Sequence, residues 1–361
     1  MSFHEMLISL MALFAVLGAI DRILGNRYGL GKEFEEGILA TGSLALAMVG
    51  IVCLAPVLAA LLKPVVVPVY RFLGADPAMF AGTILACDMG GGALAAQMTA
   101  DRSAALLGGV ITGSMLGATI VFTIPVAMGI LDQKDRPAMA KGILCGIVTI
   151  PIGVFAGGIT AGYGIGMIAR NLVPIVLIAA LIALGLWKAE SAMVRGFTVF
   201  GKIVVAVVTV GLAAAIAQAL TGTVLIPGMA PISDGFETVG AIAIVLSGAF
   251  PLVHVVTRLL RKPLTRAGKR LGINDAAAAG LIASLANSIA TFGLVKEMNY
   301  RGKVVNIAFA VSAAFVFGDH LGFAAGFAPE VLSAMIVGKL TGGISAIAVA
   351  LWLTRAEETQ A

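Results

Sequence analysis

The fold of this chain is decided by the stretch Thr83-Ile84-Leu85-Ala86-Cys87-Asp88-Met89-Gly90-Gly91-Gly92. It is an apolar run that contains one carboxylate and then ends in three glycines. A carboxylate in hydrocarbon costs at least about 2.5 kcal/mol, and glycines at the same depth weaken the helix that satisfies the backbone. The stretch therefore predicts a broken helix that lines a polar site inside a membrane.

The composition of the whole chain points to the same environment. Of its 361 residues, 60% are hydrophobic and only 12% are charged. A soluble domain of this length could not bury so much apolar surface. The three cysteines lie inside apolar runs and lack metal-ligand spacing, so we expect neither a metal site nor a cofactor. We predict an all-α polytopic membrane protein.

Apolar runs of spanning length mark out the membrane segments. They lie near residues 3–20, 38–62, 103–130, 136–162, 166–186, 192–219, 238–258, 303–325 and 329–353. Two further segments are apolar but interrupted: 77–99 by Asp88 and its glycines, and 275–298 by Asn287-Ser288 and Gly293. We expect about 9 spans plus two broken or re-entrant hairpins, and the alternative is about 11 spans.

The basic residues favour re-entrant hairpins. The connector from Arg258 to Arg270 is rich in Lys and Arg and should be cytoplasmic. A re-entrant segment 275–298 keeps the basic residues that follow it, Arg301 and Lys303, on the same side. A spanning segment would place them outside. For segment 77–99, the distribution of Lys and Arg distinguishes less clearly between a re-entrant and a spanning segment.

The chain also repeats itself at an offset near 198 residues. Leu73-Gly74-Ala75-Asp76 is echoed by Leu271-Gly272-Ile273-Asn274, and Ala81-Gly82 is echoed by Ala279-Gly280. We predict a first transmembrane repeat at 1–162, a linker helix at 163–191 and a second repeat at 192–361. Because one lone helix separates the halves, they have opposite topology. This inverted-repeat plan is typical of secondary transporters, whose site lies where the broken helices meet.

The candidate site residues are ionisable or amide side chains inside apolar segments. They are Asp88, Asn287, Asp319 and His320. The structural alternatives are an ion pair, a hydrogen-bonded helix break or an amide that bridges helices. His320 either holds the Asp319 carboxylate or carries a proton. Two acids and an amide suit a small cationic, hydroxylated solute.

Four further residues are secondary candidates. Glu36 either stabilises the start of a helix or lines a vestibule that attracts cations. Phe292 either packs against neighbouring helices or offers a cation–π face. Cys87 and Ser288 complete the set, because they adjoin Asp88 and Asn287.

Several motifs resemble one family over residues 21–353. They are Phe34-Glu35-Glu36-Gly37, Met79-Phe80-Ala81-Gly82-Thr83, Ala86-Cys87-Asp88-Met89-Gly90-Gly91, Ile147-Val148-Thr149-Ile150-Pro151-Ile152-Gly153 and Gly318-Asp319-His320-Leu321-Gly322-Phe323-Ala324-Ala325. The family they resemble is the ethanolamine transporters of bacterial ethanolamine-utilisation operons, the EutH family. The second hairpin departs from the family pattern, because Leu285-Ala286-Asn287-Ser288-Ile289-Ala290 lacks a usual second Asn and Pro.

The resemblance implies a non-enzymatic protein that takes up ethanolamine across the bacterial inner membrane. It places the substrate site on Asp88, Asn287, Asp319 and His320. The expected partners are ethanolamine and the lipid bilayer, with homo-oligomerisation left open and no nucleic acid.

Two alternative functions stay open at this point. One is an intramembrane aspartyl protease, because Phe317-Gly318-Asp319 is close to a Gly-x-Gly-Asp motif, although Val316 replaces the first glycine. The other is an amine channel, whose architecture would be compatible with the same repeats and hairpins.

Overall fold

The computed structural model describes residues 3–355, without the side chains of residues 3–4 and of several residues between 260 and 269. The ends of the predicted repeats, residues 1–2 and 356–361, and the side chains of Arg261, Lys262 and Lys269 lie outside that description. Within it, all regular secondary structure is helical and no strand is formed. The helices are α1 (Phe3–Ile23), α2 (Leu30–Phe72), α3 (Ala78–Ile84), α4 (Gly92–Met98), α5 (Arg102–Leu106), α6 (Ile124–Ile130), α7 (Arg136–Ile147), α8 (Ile150–Thr160), α9 (Ile165–Thr221), α10 (Ile232–Arg270), α11 (Asp275–Ala286), α12 (Ser288–Leu294), α13 (Tyr300–Ala313), α14 (Asp319–Phe327) and α15 (Leu332–Leu353). Wider π-helical turns at Cys87–Gly91, Leu107–Gly117 and Thr119–Thr123, and 3₁₀ turns at Gln133–Asp135, Val295–Glu297 and Pro329–Val331, connect some of them.

Seven helical segments of the described residues are long and apolar enough to cross a membrane. They are Glu5–Ile23, Leu30–Phe72, Arg102–Ile130, Gln133–Thr160, Ile165–Thr221, Ile232–Leu259 and Pro329–Leu353. Their outer faces expose large apolar side chains such as Leu46, Leu181 and Ile203, as a lipid-facing surface requires. The chain is therefore a multi-pass membrane protein.

The two interrupted segments each fold into a helical hairpin. In the first, α3 and α4 pack together, and Thr99 Oγ1 donates a hydrogen bond to Asp76 Oδ2 at 2.9 Å. In the second, α11 and α12 pack together, and Asn274 Nδ2 donates to the Glu297 carbonyl at 2.8 Å. A hydrogen bond therefore connects the two ends of each segment.

The expectation of one continuous span at 303–325 differs from the structure. Helix α13 ends at Ala313, and α14 begins only at Asp319. In the gap, the backbone N–H of Phe315 donates to the Ser284 carbonyl at 3.0 Å, and that of Phe317 donates to the Leu285 carbonyl at 2.8 Å. The end of α11 thus supplies acceptors to the broken backbone, which has no water partner inside a membrane.

The predicted spans 166–186 and 192–219 lie in one helix, α9. Its path is interrupted at Ala189, whose φ of −145° and ψ of 47° are not helical. One predicted span lies on each side of this residue, and the predicted linker, 163–191, ends beside it. The division of the chain into repeats stays a prediction.

A buried ion pair joins the two predicted repeats. Lys303 Nζ on α13 lies 2.5 Å from Asp135 Oδ1, and the two side chains are 14% and 4% exposed. A second pair, between Arg102 and Glu330, is half exposed. An exposed pair stabilises little, whereas a buried charge depends on its partner. The Asp135–Lys303 pair is therefore the one that fixes α13 against the start of α7.

Candidate functional site

The first hairpin is broken at the residues that precede Asp88. Helix α3 ends at Ile84, and Leu85 and Ala86 adopt extended backbone conformations. The turn that follows requires glycine at residue 90, where φ is 98° and an added Cβ would lie 2.2 Å from Ile51 Cγ1. This local geometry holds Asp88 at the tip of the hairpin, where the sequence predicted a polar site.

Asp88 faces His320 across the two predicted repeats. Asp88 Oδ1 lies 3.6 Å from His320 Nε2, and the side chains are 15% and 4% exposed. This distance is longer than a normal hydrogen bond. Within the described part of the chain, Asp88 Oδ1 and His320 Nδ1 are buried without a hydrogen-bond partner. Because buried polar atoms are normally paired, these atoms indicate a place for a hydrogen-bonding ligand.

Sequence reasoning missed Lys339, which is buried beside this pair. Its side chain is 1% exposed, and Nζ donates a hydrogen bond to the Ser114 carbonyl at 2.5 Å. The ammonium group lies within electrostatic range of Asp88 and Cys87. The signal was present in the sequence, because a lysine in the middle of the apolar run 329–353 is itself a mark of function.

Cys87, Asp88 and His320 form a compact cluster. Their possible ligand atoms lie within 4.8 Å of one another, which is close enough for a metal ion. Lys339 opposes that use, because an ammonium near Asp88 leaves too little net negative charge to compensate a divalent ion. A cluster of this charge suits an amine better than a divalent metal.

Asp319 and Asn287 line a cavity of about 1460 Å³. Asp319 is the first residue of α14, and it lies within electrostatic range of Asp88. Asn287 occupies the break of the second hairpin, where its Oδ1 accepts a hydrogen bond from the Ile289 N–H at 2.7 Å. This cap leaves the NH₂ group of Asn287 as the part that can contact a ligand.

The four predicted site residues thus lie in two neighbouring places. Asp88 and His320 meet in the buried cluster, whereas Asn287 and Asp319 lie on the wall of the cavity. Among the secondary candidates, Glu36 also lines this cavity, and Cys87 is buried beside Asp88.

The remaining secondary candidates lie in the packed interior. Ser288 is fully buried, and its Oγ has no hydrogen-bond partner among the described residues. Phe292 is 1% exposed and packs in the apolar core, as the packing alternative expects. The aromatic ring that contacts the site is instead Phe315, whose centre lies 5.2 Å from that of His320.

Comparison with known proteins gives one consistent result. The family model described as "Ethanolamine utilisation protein, EutH" matches residues 3–353. The "Probable ethanolamine permease EutH" of Listeria monocytogenes is 59% identical over 353 residues, which are 98% of this chain and 95% of that protein. The protein of the same name in Escherichia coli K12 is 47% identical, with coverage of 100% and 98%.

A third relative carries a less informative name. The "Uncharacterized protein YxeR" of Bacillus subtilis is 51% identical over 360 residues, with coverage of 100% of this chain and 97% of that protein. No solved structure matches the chain. Because the family model matches residues 3–353 and the relatives are more than 45% identical, the chain belongs to the EutH family of ethanolamine utilisation proteins.

Proposed function

We propose that this protein is a transporter that takes up ethanolamine across the bacterial inner membrane, by alternating access around a cation site near the middle of the bilayer. The observation that carries the proposal is Asp88, at the tip of a broken hairpin, whose Oδ1 is buried and has no hydrogen-bond partner among the described residues. Three relatives named probable ethanolamine permease support it. Those names also favour transport over the aspartyl protease alternative.

Each polar group near Asp88 has a complementary group on the substrate. The Asp88 carboxylate compensates the ammonium and accepts its N–H bonds. Asp319 draws the cation from the cavity toward the buried cluster, and Glu36 does the same from farther out. The NH₂ group of Asn287 donates to the hydroxyl oxygen. Phe315 and His320 close the apolar side against the two-carbon chain.

The hairpin ends support an inverted repeat with re-entrant hairpins. Asp76 pairs with Thr99 in the first hairpin, and the Asn274 side chain pairs with the Glu297 backbone in the second. Both pairs are related by the offset of 198 residues that the sequence motifs display. We therefore propose repeats at 1–162 and 192–361, joined by 163–191, that rock against each other around the site.

The membrane potential is a sufficient driving force. Protonated ethanolamine carries one positive charge, and an inside-negative potential contributes about 2.3 kcal/mol per charge per 100 mV. At about tenfold per 1.4 kcal/mol, this gives roughly 50-fold accumulation. Uptake of the cation alone can therefore concentrate the substrate.

Uptake by proteoliposomes tests the proposal. At a pH below 7, where passive entry of the free amine is small, a potassium-diffusion potential that is negative inside should drive saturable accumulation of radiolabelled ethanolamine. Preloaded unlabelled ethanolamine should accelerate entry of the label, because a carrier exchanges substrate. Uptake equal to that of protein-free vesicles would contradict transport, and flux that neither saturates nor shows counterflow would favour the amine channel.

A further inference from the structure

Lys339 is the one lysine or arginine among the buried residues of the part of the chain that the structure describes. It lies on α15, in the proposed second repeat, and its ammonium binds the carbonyl of Ser114 in the first. A buried ammonium requires a nearby opposite charge. An added Cβ at Gly113 would lie 3.1 Å from the Cys87 backbone nitrogen, so Ser114 and the bonded ammonium lie close to Asp88, whose charge acts on that ammonium. Lys339 and Asp88 therefore stabilise each other across the repeats.

The balance of charge around the hairpin tip is informative. Asp88 and Asp319 are two acids within electrostatic range of each other, and Lys339 is a fixed cation near the first of them. With all three ionised, one negative charge stays uncompensated. A single monocationic amine neutralises it, whereas a zwitterion would bring a carboxylate toward the two acids. The site is complete with one amine, without a second mobile cation.

We propose that the Lys339 ammonium is a built-in cation that takes the place of a free coupling ion beside Asp88. The inference rests on the proposed transport function. Discontinuous transporter helices coordinate coupling ions through unwound backbone carbonyls and the C-terminal ends of half-helices. Here the Ser114 carbonyl, in the π-helical segment Leu107–Gly117, accepts the hydrogen bond of the Lys339 ammonium, and the charge of Asp88 acts on that ammonium. Sodium and potassium are thereby excluded, and transport requires neither.

The variant Lys339→Met removes the charge but keeps a long apolar side chain. The unfolding temperatures of the purified variant and of the wild type are measured in equal concentrations of sodium, potassium and tetramethylammonium chloride. We expect the wild type to unfold at the same temperature in all three salts. We expect the variant to unfold at a higher temperature in sodium or potassium, because an ion that binds the folded state stabilises it.

Two further variants identify the site. Asp88→Asn combined with Lys339→Met should lose the salt-specific rise in unfolding temperature, because the carboxylate ligand is gone. Lys202→Met, which changes an exposed lysine of α9, should behave as the wild type. Lys339→Gln serves the same purpose as the Met variant if the latter is not obtained folded.

Uptake supplies an independent readout. Wild-type uptake should not depend on external sodium, whereas uptake by Lys339→Met should be at least about tenfold faster in external sodium than in external tetramethylammonium. The inference is overturned if the wild type is stabilised by sodium or potassium, or if the folded variant unfolds at one temperature in all three salts. The unfolding measurement uses no substrate, so a failure of ethanolamine transport itself is recognised separately, as absent uptake by the wild type.

Discussion

Asp88→Asn is expected to lower saturable ethanolamine uptake by roughly 100-fold or more, because removal of one partner from a buried charge pair costs about 3–5 kcal/mol. The amide has nearly the same shape as the carboxylate, so the hairpin tip keeps its packing. The substrate ammonium, however, would leave water for a site without its closest counter-charge. Initial uptake rates at several substrate concentrations, normalised to the amount of inserted protein, measure the effect.

The control for this variant is Asp132→Asn. Asp132 lies in the loop between α6 and α7, its side chain is 62% exposed, and it faces Lys134 at 3.8 Å. Its removal should leave uptake within twofold of the wild type, because an exposed pair contributes about 0–1 kcal/mol. Wild-type transport by Asp88→Asn would remove Asp88 from the substrate site.

Gly318→Val is expected to abolish most uptake and to lower the unfolding temperature. An added Cβ at Gly318 would lie 2.2 Å from the Ala286 carbonyl oxygen, and that atom belongs to backbone. The break at 314–318 would have to move away from α11, and the two hydrogen bonds from Phe315 and Phe317 would be lost. Each unpaired buried group costs about 1–3 kcal/mol. Asp319 and His320 follow directly and would move with it.

A matched glycine in the neighbouring hairpin isolates the steric effect. Gly293 lies in α12, where an added Cβ meets nothing within 4 Å, so Gly293→Ala should preserve or slightly raise the unfolding temperature. Thermal unfolding in detergent and uptake in proteoliposomes are measured for both variants. Gly318→Val with the wild-type unfolding temperature and uptake would contradict the proposed contact between the two helix breaks.

The sequence predicted the features that can be recognised from the residues of one segment alone. Asp88 followed by three glycines violates the rules for a membrane helix, and the structure breaks the helix at Leu85–Ala86. Asn287 interrupts an apolar run, and it separates α11 from α12. A carboxylate, an amide or a glycine cluster at membrane depth can be seen in one segment alone, so these positions required no knowledge of the partner helices.

The break at 314–318 depends on tertiary contacts and was therefore missed. Ala314, Phe315, Val316 and Phe317 are apolar residues that would suit a continuous helix. Their backbone leaves the helical path where the carbonyl oxygens of Ser284 and Leu285 accept the hydrogen bonds of the Phe315 and Phe317 N–H groups. A pattern within one segment carries no information about an acceptor supplied by another.

The relative positions of the site residues also could not be predicted from the sequence. The four candidates were assigned to one substrate site, and the structure adds that Asn287 and Asp319 line the cavity, whereas His320 turns toward Asp88. Adjacent residues of α14 point in different directions because successive helical side chains are rotated by about 100°. Lys339 could have been recognised in the sequence, because a lysine inside an apolar run is itself unusual. Its proximity to Ser114 and Asp88 could be found only from the structure.

The central claim, that the substrate ammonium binds at Asp88, is tested most directly at Cys87. Its side chain is 1% exposed and lies in one cluster with Asp88, so a substrate bound at Asp88 should shield it from a small cationic thiol reagent. In a variant with Cys53→Ala and Cys145→Ala, mass spectrometry follows the modification of Cys87 by 2-aminoethyl methanethiosulfonate. Ethanolamine at tenfold its dissociation constant should slow the modification by about tenfold, and Asp88→Asn should remove this protection. A modification rate that ethanolamine leaves unchanged would contradict a substrate site at Asp88.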